Sequence, residues 1–200
     1  MKIYRLKFFL ATIYIISLGW TIVPKQNYSL ADGVMELSGK TSFDNWKIKS
    51  NNMQSDGQFS LISGKLAVVS PFNFSIPVKS FESANKFRDR SIYKYLKSYP
   101  NDQIYFRHVF TSIRPLGKSR YLLKITGNVN IAGITQVMIL NLRCTAYTDS
   151  LLLLSGTTVM KMSKFQIFPK NLPAAATYND NVKVVISMRF KPYKQRKQSL

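Results

Sequence analysis

Apolar and polar residues alternate along most of the chain with a period of two rather than 3.6. In the segment 72–79, for example, every second residue is Phe, Ile or Val, and the residues between them are polar or proline. Successive side chains of a strand point to opposite faces of a sheet, so this period predicts half-buried β-strands. The same alternation marks 103–110, 121–131, 136–144, 151–160 and 182–191, with shorter pieces at 34–40, 46–50 and 59–69.

Turn-forming residues separate these segments. They fall at 51–52, Gly64, Gly117, Gly133, 148–149 and 179–181. Eight or nine short strands divided in this way are typical of an all-β barrel or sandwich. One segment, 83–97, instead has helical spacing, with Phe87, Ile92 and Leu96 near one face. We therefore predict a single all-β domain with one short helix that crosses an end of the sheet and stops before Pro100.

The alternation also predicts which side chains face the interior. A shift of one residue would turn the whole apolar set toward water, so the register is strongly specified. In the segment 103–110, the apolar face also carries His108 and Phe110. The predicted inward-facing residues are Phe72, Phe74, Ile76, Val78, Ile104, Phe106, Leu123, Ile125, Val129, Met138, Leu140, Leu142, Val184, Ile186 and Met188.

The N-terminal segment differs from the rest of the chain. Three basic residues fall within the first seven, an apolar run follows at 8–23, and the small residues Ser29 and Ala31 come next. This order is typical of a secretory signal peptide and predicts cleavage after Ala31, with a periplasmic or secreted product. The run approaches the ~18–20 residues that span a bilayer, so an uncleaved anchor stays open. The predicted layout is a signal peptide at 1–31, a barrel at 32–191 and a basic disordered tail at 192–200.

The chain is strongly basic, with 29 Lys and Arg against 9 Asp and Glu and a net charge of +20. Four of these basic residues and no acid lie in 1–31, which leaves 25 against 9, a net charge of +16, after the predicted cleavage. Such a field favours anionic partners, and export makes a membrane surface more natural than nucleic acid. A basic surface that is merely solvated stays open. The single cysteine, Cys144, excludes an internal disulfide and is interpreted as a small buried hydrophobe.

No combination of residues predicts catalysis. His108 is the one histidine, and no motif supplies it with a nucleophile and an orienting partner. The histidine, cysteine and carboxylates match no metal-ligand spacing, and there is no glycine-rich phosphate loop. Tyrosines 93, 95 and 99 lie among basic residues, which a solvated helix face explains more simply than a surface for single-stranded nucleic acid. We therefore predict a binding protein without a cofactor rather than an enzyme.

Five sequence motifs, in order, resemble those of the YceI-like family. The variant is similar to the branch common in Bacteroidota, although Asn45 stands about where that branch often has histidine. The motifs are LSGKTSFDNW at 37–46, IPVKSFES at 76–83, RDR at 88–90 followed by YLK at 95–97 and Tyr99–Pro100, TGNVNIAGIT at 126–135, and MSKFQI at 162–167.

The resemblance covers the chain after the N-terminal segment and implies a specific fold and ligand. The fold is an extended, lipocalin-like, eight-stranded antiparallel barrel, and the ligand is a polyisoprenoid chain held in a hydrophobic tunnel of an exported protein. The inward-facing residues named above then become the predicted tunnel lining. An eight-stranded barrel is just wide enough either to be filled by side chains or to hold one slender ligand. A filled core, with function in the basic surface, therefore stays open, as does a homodimer.

Overall fold

Antiparallel strands make up most of the structure, a computed structural model that describes residues 26–62, 65–97, 99–147, 150–169 and 177–192. One helix, α1 (Lys86–Tyr95), and two short 3₁₀ turns, Val78–Ser80 and Met162–Phe165, occur among these residues. The strands are β1 (Gln26–Lys40), β2 (Asn45–Ser50), β3 (Gln54–Ile62), β4 (Lys65–Pro77), β5 (Gln103–Gly117), β6 (Arg120–Ile131), β7 (Ile134–Tyr147), β8 (Leu151–Lys161) and β9 (Asn181–Pro192).

Strand β1 closes the sheet into a barrel, because it pairs with strands from both ends of the sequence. One edge of β1 pairs antiparallel with β9 over residues 28–38. Its other edge pairs with β3 near Gln26 and with β2 over 35–40. Strands β2 and β3 therefore share one position in the wall, and the remaining strands follow in sequence order. The predicted eight-stranded antiparallel barrel is confirmed.

Two hairpins turn at the glycines expected from the sequence. Gly117, between β5 and β6, has a φ of 121°, and Gly133, between β6 and β7, has a φ of 85°. Residues with a Cβ rarely adopt such φ angles, which explains why glycine occupies both turns. The prediction of one short strand at 59–69 is wrong, because this segment belongs to two strands. It contains the end of β3 and the start of β4, which pair with each other as a hairpin.

Of the fifteen residues predicted to face inward, fourteen are buried and Met138 is half-buried, which agrees with that orientation. On β5, the alternation of buried and exposed residues breaks down after Phe106. Phe110 is 62% exposed, although its alternation with Phe106 placed it on the inner face. The register of β5 against β6 shifts between His108 and Phe110, and such a bulge turns the following residue to the other face.

The barrel wall is not paired along its whole length. Strands β7 and β8 pair only between 142–147 and 151–156, so 134–141 of β7 and 157–161 of β8 diverge. Gly156 lies where they separate, and a Cβ there would come within 2.5 Å of the Asn141 carbonyl oxygen. This divergence loosens the wall toward the end of the barrel where α1 lies.

The helix α1 begins where the sequence provides a cap. Asn85 Oδ1 accepts hydrogen bonds from the amides of Phe87 and Arg88, at 2.9 and 3.3 Å. Ile92 is half-buried and Leu96, the C-cap residue, is buried, as predicted. Phe87 is 76% exposed, so its assignment to the same face is wrong. Five residues turn a helix by roughly 140° beyond one full turn, which carries Phe87 away from the face of Ile92.

Strand β1 begins at Gln26, ahead of the predicted start of the barrel at residue 32. Tyr28 is only 3% exposed, and its ring packs edge-on against Phe59 with the centroids 5.3 Å apart. Cleavage after Ala31 would remove this contact. The rest of the predicted signal peptide, and the predicted tail beyond Pro192, lie outside the described residues. Within the described ranges, no helix is long and apolar enough to cross a membrane.

Candidate functional site

A cavity of about 330 Å³ lies between α1 and one end of the barrel. We call it the mouth cavity. It opens to solvent on one side, and its size falls within the range of ~300–1,000 Å³ that is usual for ligand sites. Most of its wall is apolar. The lining residues are Leu37, Thr41, Asp44, Trp46, Ile48, Arg88, Ser91, Ile92, Tyr95, Leu96, Met160, Met162, Ile167, Pro169, Tyr178 and Val182.

The wall of the mouth cavity depends on a close contact between β1 and β2. Gly39 and Trp46 are cross-strand partners, and a Cβ on Gly39 would lie 2.4 Å from the Trp46 ring. The missing side chain therefore lets the indole lie flat across β1. Thr41 and Asp44 fix the turn between the strands, since the amide of Asp44 donates to Thr41 Oγ1 at 3.0 Å.

One ion pair stands at the edge of the mouth cavity. The guanidinium of Arg88 lies 2.5 Å from Asp44 Oδ2, which ties α1 to the β1–β2 turn. Side chains of both residues are partly exposed, at 33% and 53%, so the pair adds little to stability. The pair joins the helix to the β1–β2 turn at the edge of the cavity.

A much smaller void lies deeper in the barrel. It measures about 30 Å³, which is room for roughly two water molecules, and apolar side chains line it. Leu37 and Met160 line both this inner void and the mouth cavity. We call these two residues the neck. The wide mouth cavity and the small inner void therefore adjoin at the neck.

The predicted tunnel residues divide between the inner void and the packed core. The mouth cavity is lined by none of them. Those beside the void are Phe74, Ile104, Phe106, Val129, Met138, Leu140, Val184 and Ile186. Those away from it are Phe72, Ile76, Val78, Leu123, Ile125, Leu142 and Met188.

Sequence reasoning missed the residues that line the mouth cavity because they come from six separate elements and the segments between them. Strand periodicity identifies an inner face, but it does not reveal where a helix leaves space above that face. Two signals did point toward the cavity. Trp46 ends the first motif, and Ile92 and Leu96 form the apolar face predicted for the helix.

Aromatic side chains fill the opposite end of the barrel. The Phe59 ring contacts Tyr28, Phe72 and Phe190, with centroids 5.3, 6.5 and 5.2 Å away. Phe59, Phe72 and Phe190 are all fully buried. Tilted and edge-on rings of this kind pack without leaving a channel. The mouth cavity therefore leads toward a filled end.

Burial shifts the pKa of two titratable side chains of the barrel. Burial lowers the pKa of His108, whose Nε2 lies 2.8 Å from Thr111 Oγ1. Burial raises the pKa of Cys144 to about 12, so its thiol stays protonated and unreactive near neutral pH. Across the described part of the chain, no three His, Cys, Asp or Glu side chains cluster closely enough to hold a metal ion.

Comparison with known proteins agrees with this geometry. The family model of the YceI-like domain matches residues 28–190. The chain belongs to the YceI-like family. The match begins at Tyr28 and ends at Phe190, two residues that pack in the closed end of the barrel. No curated protein sequence matches the chain.

Solved structures share the YceI-like fold at low sequence identity. BcnA of Burkholderia cenocepacia is 16% identical over 78% of this chain and 95% of its own, with a TM-score of 0.63. A polyisoprenoid-binding domain from Saccharophagus degradans, implicated in plant cell wall breakdown, is 10% identical over 84% and 99%, with a TM-score of 0.65. The YceI protein of Campylobacter jejuni is 16% identical over 76% and 87%, with a TM-score of 0.58. These likenesses establish the fold.

Proposed function

We propose that the protein binds and carries a long apolar lipid of the polyisoprenoid type in the cell envelope and catalyses no reaction. The observation that carries this proposal is the apolar mouth cavity of about 330 Å³, which shares the lining residues Leu37 and Met160 with an inner void. A wall of aliphatic and aromatic side chains suits a hydrocarbon ligand that offers no hydrogen-bonding groups. The Saccharophagus degradans domain, named for polyisoprenoid binding, has the same fold and supports this ligand class.

The lipid chain enters the barrel through the neck in this proposal. Met138 and Met160 are both half-buried and both line the inner void. Methionine side chains are unbranched and flexible, so they adapt to an incoming chain at low cost. The predicted tunnel residues beside the void would then contact the ligand, while the mouth cavity holds the part of the lipid nearest to solvent.

The energetics favour a carrier over a tight receptor. Burial of apolar surface from water is worth about 25 cal/mol per Å², which is large for a long chain. A lipid that leaves a bilayer gains almost none of this energy, because it was already surrounded by hydrocarbon. We infer modest net affinity for a membrane lipid and strong retention against escape into water.

Export of the protein forms part of the proposal. Residues 1–31 begin with basic residues, which an apolar run and then small residues follow, and this order supports secretion to the periplasm or beyond. Because Tyr28 packs inside the barrel, processing upstream of this residue would leave the fold complete, whereas cleavage after Ala31 would shorten β1. The excess of basic residues suits an anionic membrane surface as the second partner.

One observation favours a second function, that of a structural or interaction protein. The inner void of about 30 Å³ is too small for a hydrocarbon chain unless side chains move. A barrel that stays filled would act through its basic outer surface alone. The two functions differ in whether native protein contains lipid.

Lipid extraction from native protein tests the proposal directly. Protein purified from its own envelope without detergent is extracted with organic solvent, and the extract is analysed by mass spectrometry. We expect an isoprenoid lipid in near-equimolar amount. An extract with no lipid above that of an unrelated envelope protein would favour the filled barrel.

The neck offers a test of how far the chain enters. Met160→Trp places a larger side chain between the mouth cavity and the inner void, so the bound lipid should become shorter or less abundant. Val159→Trp is the matched control, because Val159 lies directly before Met160 on β8 and is 61% exposed. Chain length and amount are read from the same mass spectra. Unchanged lipid in Met160→Trp would mean that the chain stops in the mouth cavity.

A further inference from the structure

Four large exposed aromatic side chains lie close in sequence to residues that line the mouth cavity. Each lies within three residues of a residue that lines the cavity, and they come from the β1–β2 turn, α1, the segment after α1 and the segment after the second 3₁₀ turn. The four are Phe43, Phe87, Tyr99 and Phe168, which are 68%, 76%, 92% and 48% exposed. Because each adjoins the cavity wall along the chain, we place them at the rim of the opening, where exposed apolar groups mark an interaction site.

Basic side chains accompany these aromatic residues. Their ammonium groups are exposed and adjoin lining residues of α1, β8 and the second 3₁₀ turn. These residues are Lys94, Lys97, Lys161 and Lys164. The guanidinium of Arg90 also lies over the Phe87 ring, 4.6 Å from its centroid.

The acidic side chains nearest to the mouth are already engaged. Asp44 is paired with Arg88. Asp180 accepts hydrogen bonds from the amide and the hydroxyl of Ser163, each at 2.7 Å, and this hydrogen bonding lowers its pKa. Within the described residues, Lys94, Lys97 and Lys164 form no ion pair and are left to face an external anion, whereas Lys161 is also attracted to Asp180.

We propose that this mouth surface, formed by the four aromatic residues and the four lysines, docks on an anionic phospholipid bilayer. The inference rests on the proposed lipid-carrying function and assigns the side of the barrel that meets the membrane. Aromatic rings are favoured at the level of lipid head groups, and each nearby lysine adds about 1 kcal/mol of attraction to an anionic leaflet. The aromatic residues therefore suit the head-group region of such a bilayer, and the lysines suit its negative charge.

Docking in this orientation also solves a transfer problem. A long apolar lipid that crossed water between the membrane and the barrel would expose its whole surface, at about 25 cal/mol per Å². With the mouth against the bilayer, the chain passes from one hydrocarbon environment to another. An acidic protein partner would use the lysines but would not need exposed aromatic rings around an apolar opening.

Vesicle binding tests the proposal with the protein as purified from the envelope. Co-sedimentation is measured with vesicles of phosphatidylglycerol and phosphatidylcholine, and with phosphatidylcholine alone. We expect binding to the anionic vesicles that weakens as ionic strength rises from about 0.05 to about 0.5 M. Lys97→Glu/Lys164→Glu should lower the affinity at least about tenfold, and Phe43→Ser/Phe87→Ser should lower it severalfold in both salt conditions.

Matched controls use equally exposed residues away from the mouth. Arg114→Glu/Lys118→Glu changes the same charge at the β5–β6 end of the barrel, and Phe110→Ser removes an aromatic side chain that is 62% exposed. Both should bind vesicles as the wild type does. The N-terminal segment is the same in every variant, so differences report on the substituted surface. Equal losses in mouth and control variants, or no binding of the wild type to anionic vesicles, would overturn the proposal.

Failure of this inference is distinguishable from failure of the proposed function. None of the substituted mouth residues lines the mouth cavity, so organic extracts of the purified variants report on the cavity independently. Vesicle binding by wild-type protein that contains no lipid would remove the carrier function and leave the docking surface. Extractable lipid, together with vesicle binding that the mouth substitutions do not weaken, would leave the carrier function and remove the docking surface.

Discussion

Replacement of Phe106 by alanine is expected to lower the free energy of unfolding by about 3–5 kcal/mol. Phe106 is only 1% exposed, and its ring stacks on Phe74 with the centroids 5.0 Å apart and the planes 7° from parallel. It also lies against Gly127, where a Cβ would come within 2.3 Å of the ring. A site packed this closely on two sides cannot collapse fully around a smaller side chain. Urea unfolding followed by circular dichroism gives the value.

The effect of lipid on the stability lost in Phe106→Ala shows whether the bound chain reaches the inner void. Phe106 lines that void, so a ligand that extends past the neck would partly refill the space. The loss of stability should then be smaller in lipid-loaded protein than after delipidation. Phe110→Ala is the control and should change stability by less than about 0.5 kcal/mol, because Phe110 is exposed. A loss below about 1 kcal/mol for Phe106→Ala in delipidated protein would contradict the packed interior.

Ile92→Asp is expected to abolish lipid binding while the protein remains folded. Ile92 lies on α1, is half-buried and forms part of the wall of the mouth cavity. A carboxylate at this position would face the hydrocarbon of the ligand, at a cost of several kcal/mol unless it is protonated or hydrated. Without the ligand the carboxylate reaches water through the cavity opening, so the fold should tolerate it. The readout is the amount of lipid extracted per protein.

Val137→Asp is the matched control for Ile92→Asp. It makes the same change from an apolar side chain to a carboxylate, but Val137 lies on the outer face of β7 and is 72% exposed. Lipid content should match that of the wild type. Circular dichroism establishes that both variants are folded. Normal lipid content in Ile92→Asp would mean that the mouth cavity is not the binding site.

The pattern of residues determined the barrel because strand periodicity is a local property. Alternation at every second position identified the inner face of β4, β6, β7 and β9, and a slip of one residue would have exposed that entire face. Glycine at positions 117 and 133 marked two hairpins, since each adopts a positive φ. The resemblance to YceI-like sequences then specified eight strands, which the closure of β1 on β9 provides.

The tertiary structure alone decided where a ligand would fit. Fourteen of the fifteen predicted residues are buried, but whether inward-facing side chains leave a tunnel depends on how their volumes fill a barrel of fixed width. The bulge at His108, which exposes Phe110, is likewise set by pairing with β6 rather than by local sequence. The mouth cavity exists because α1 stands over the barrel end without filling it. Such a space arises from contacts between elements distant in sequence, and no periodicity within one segment encodes it.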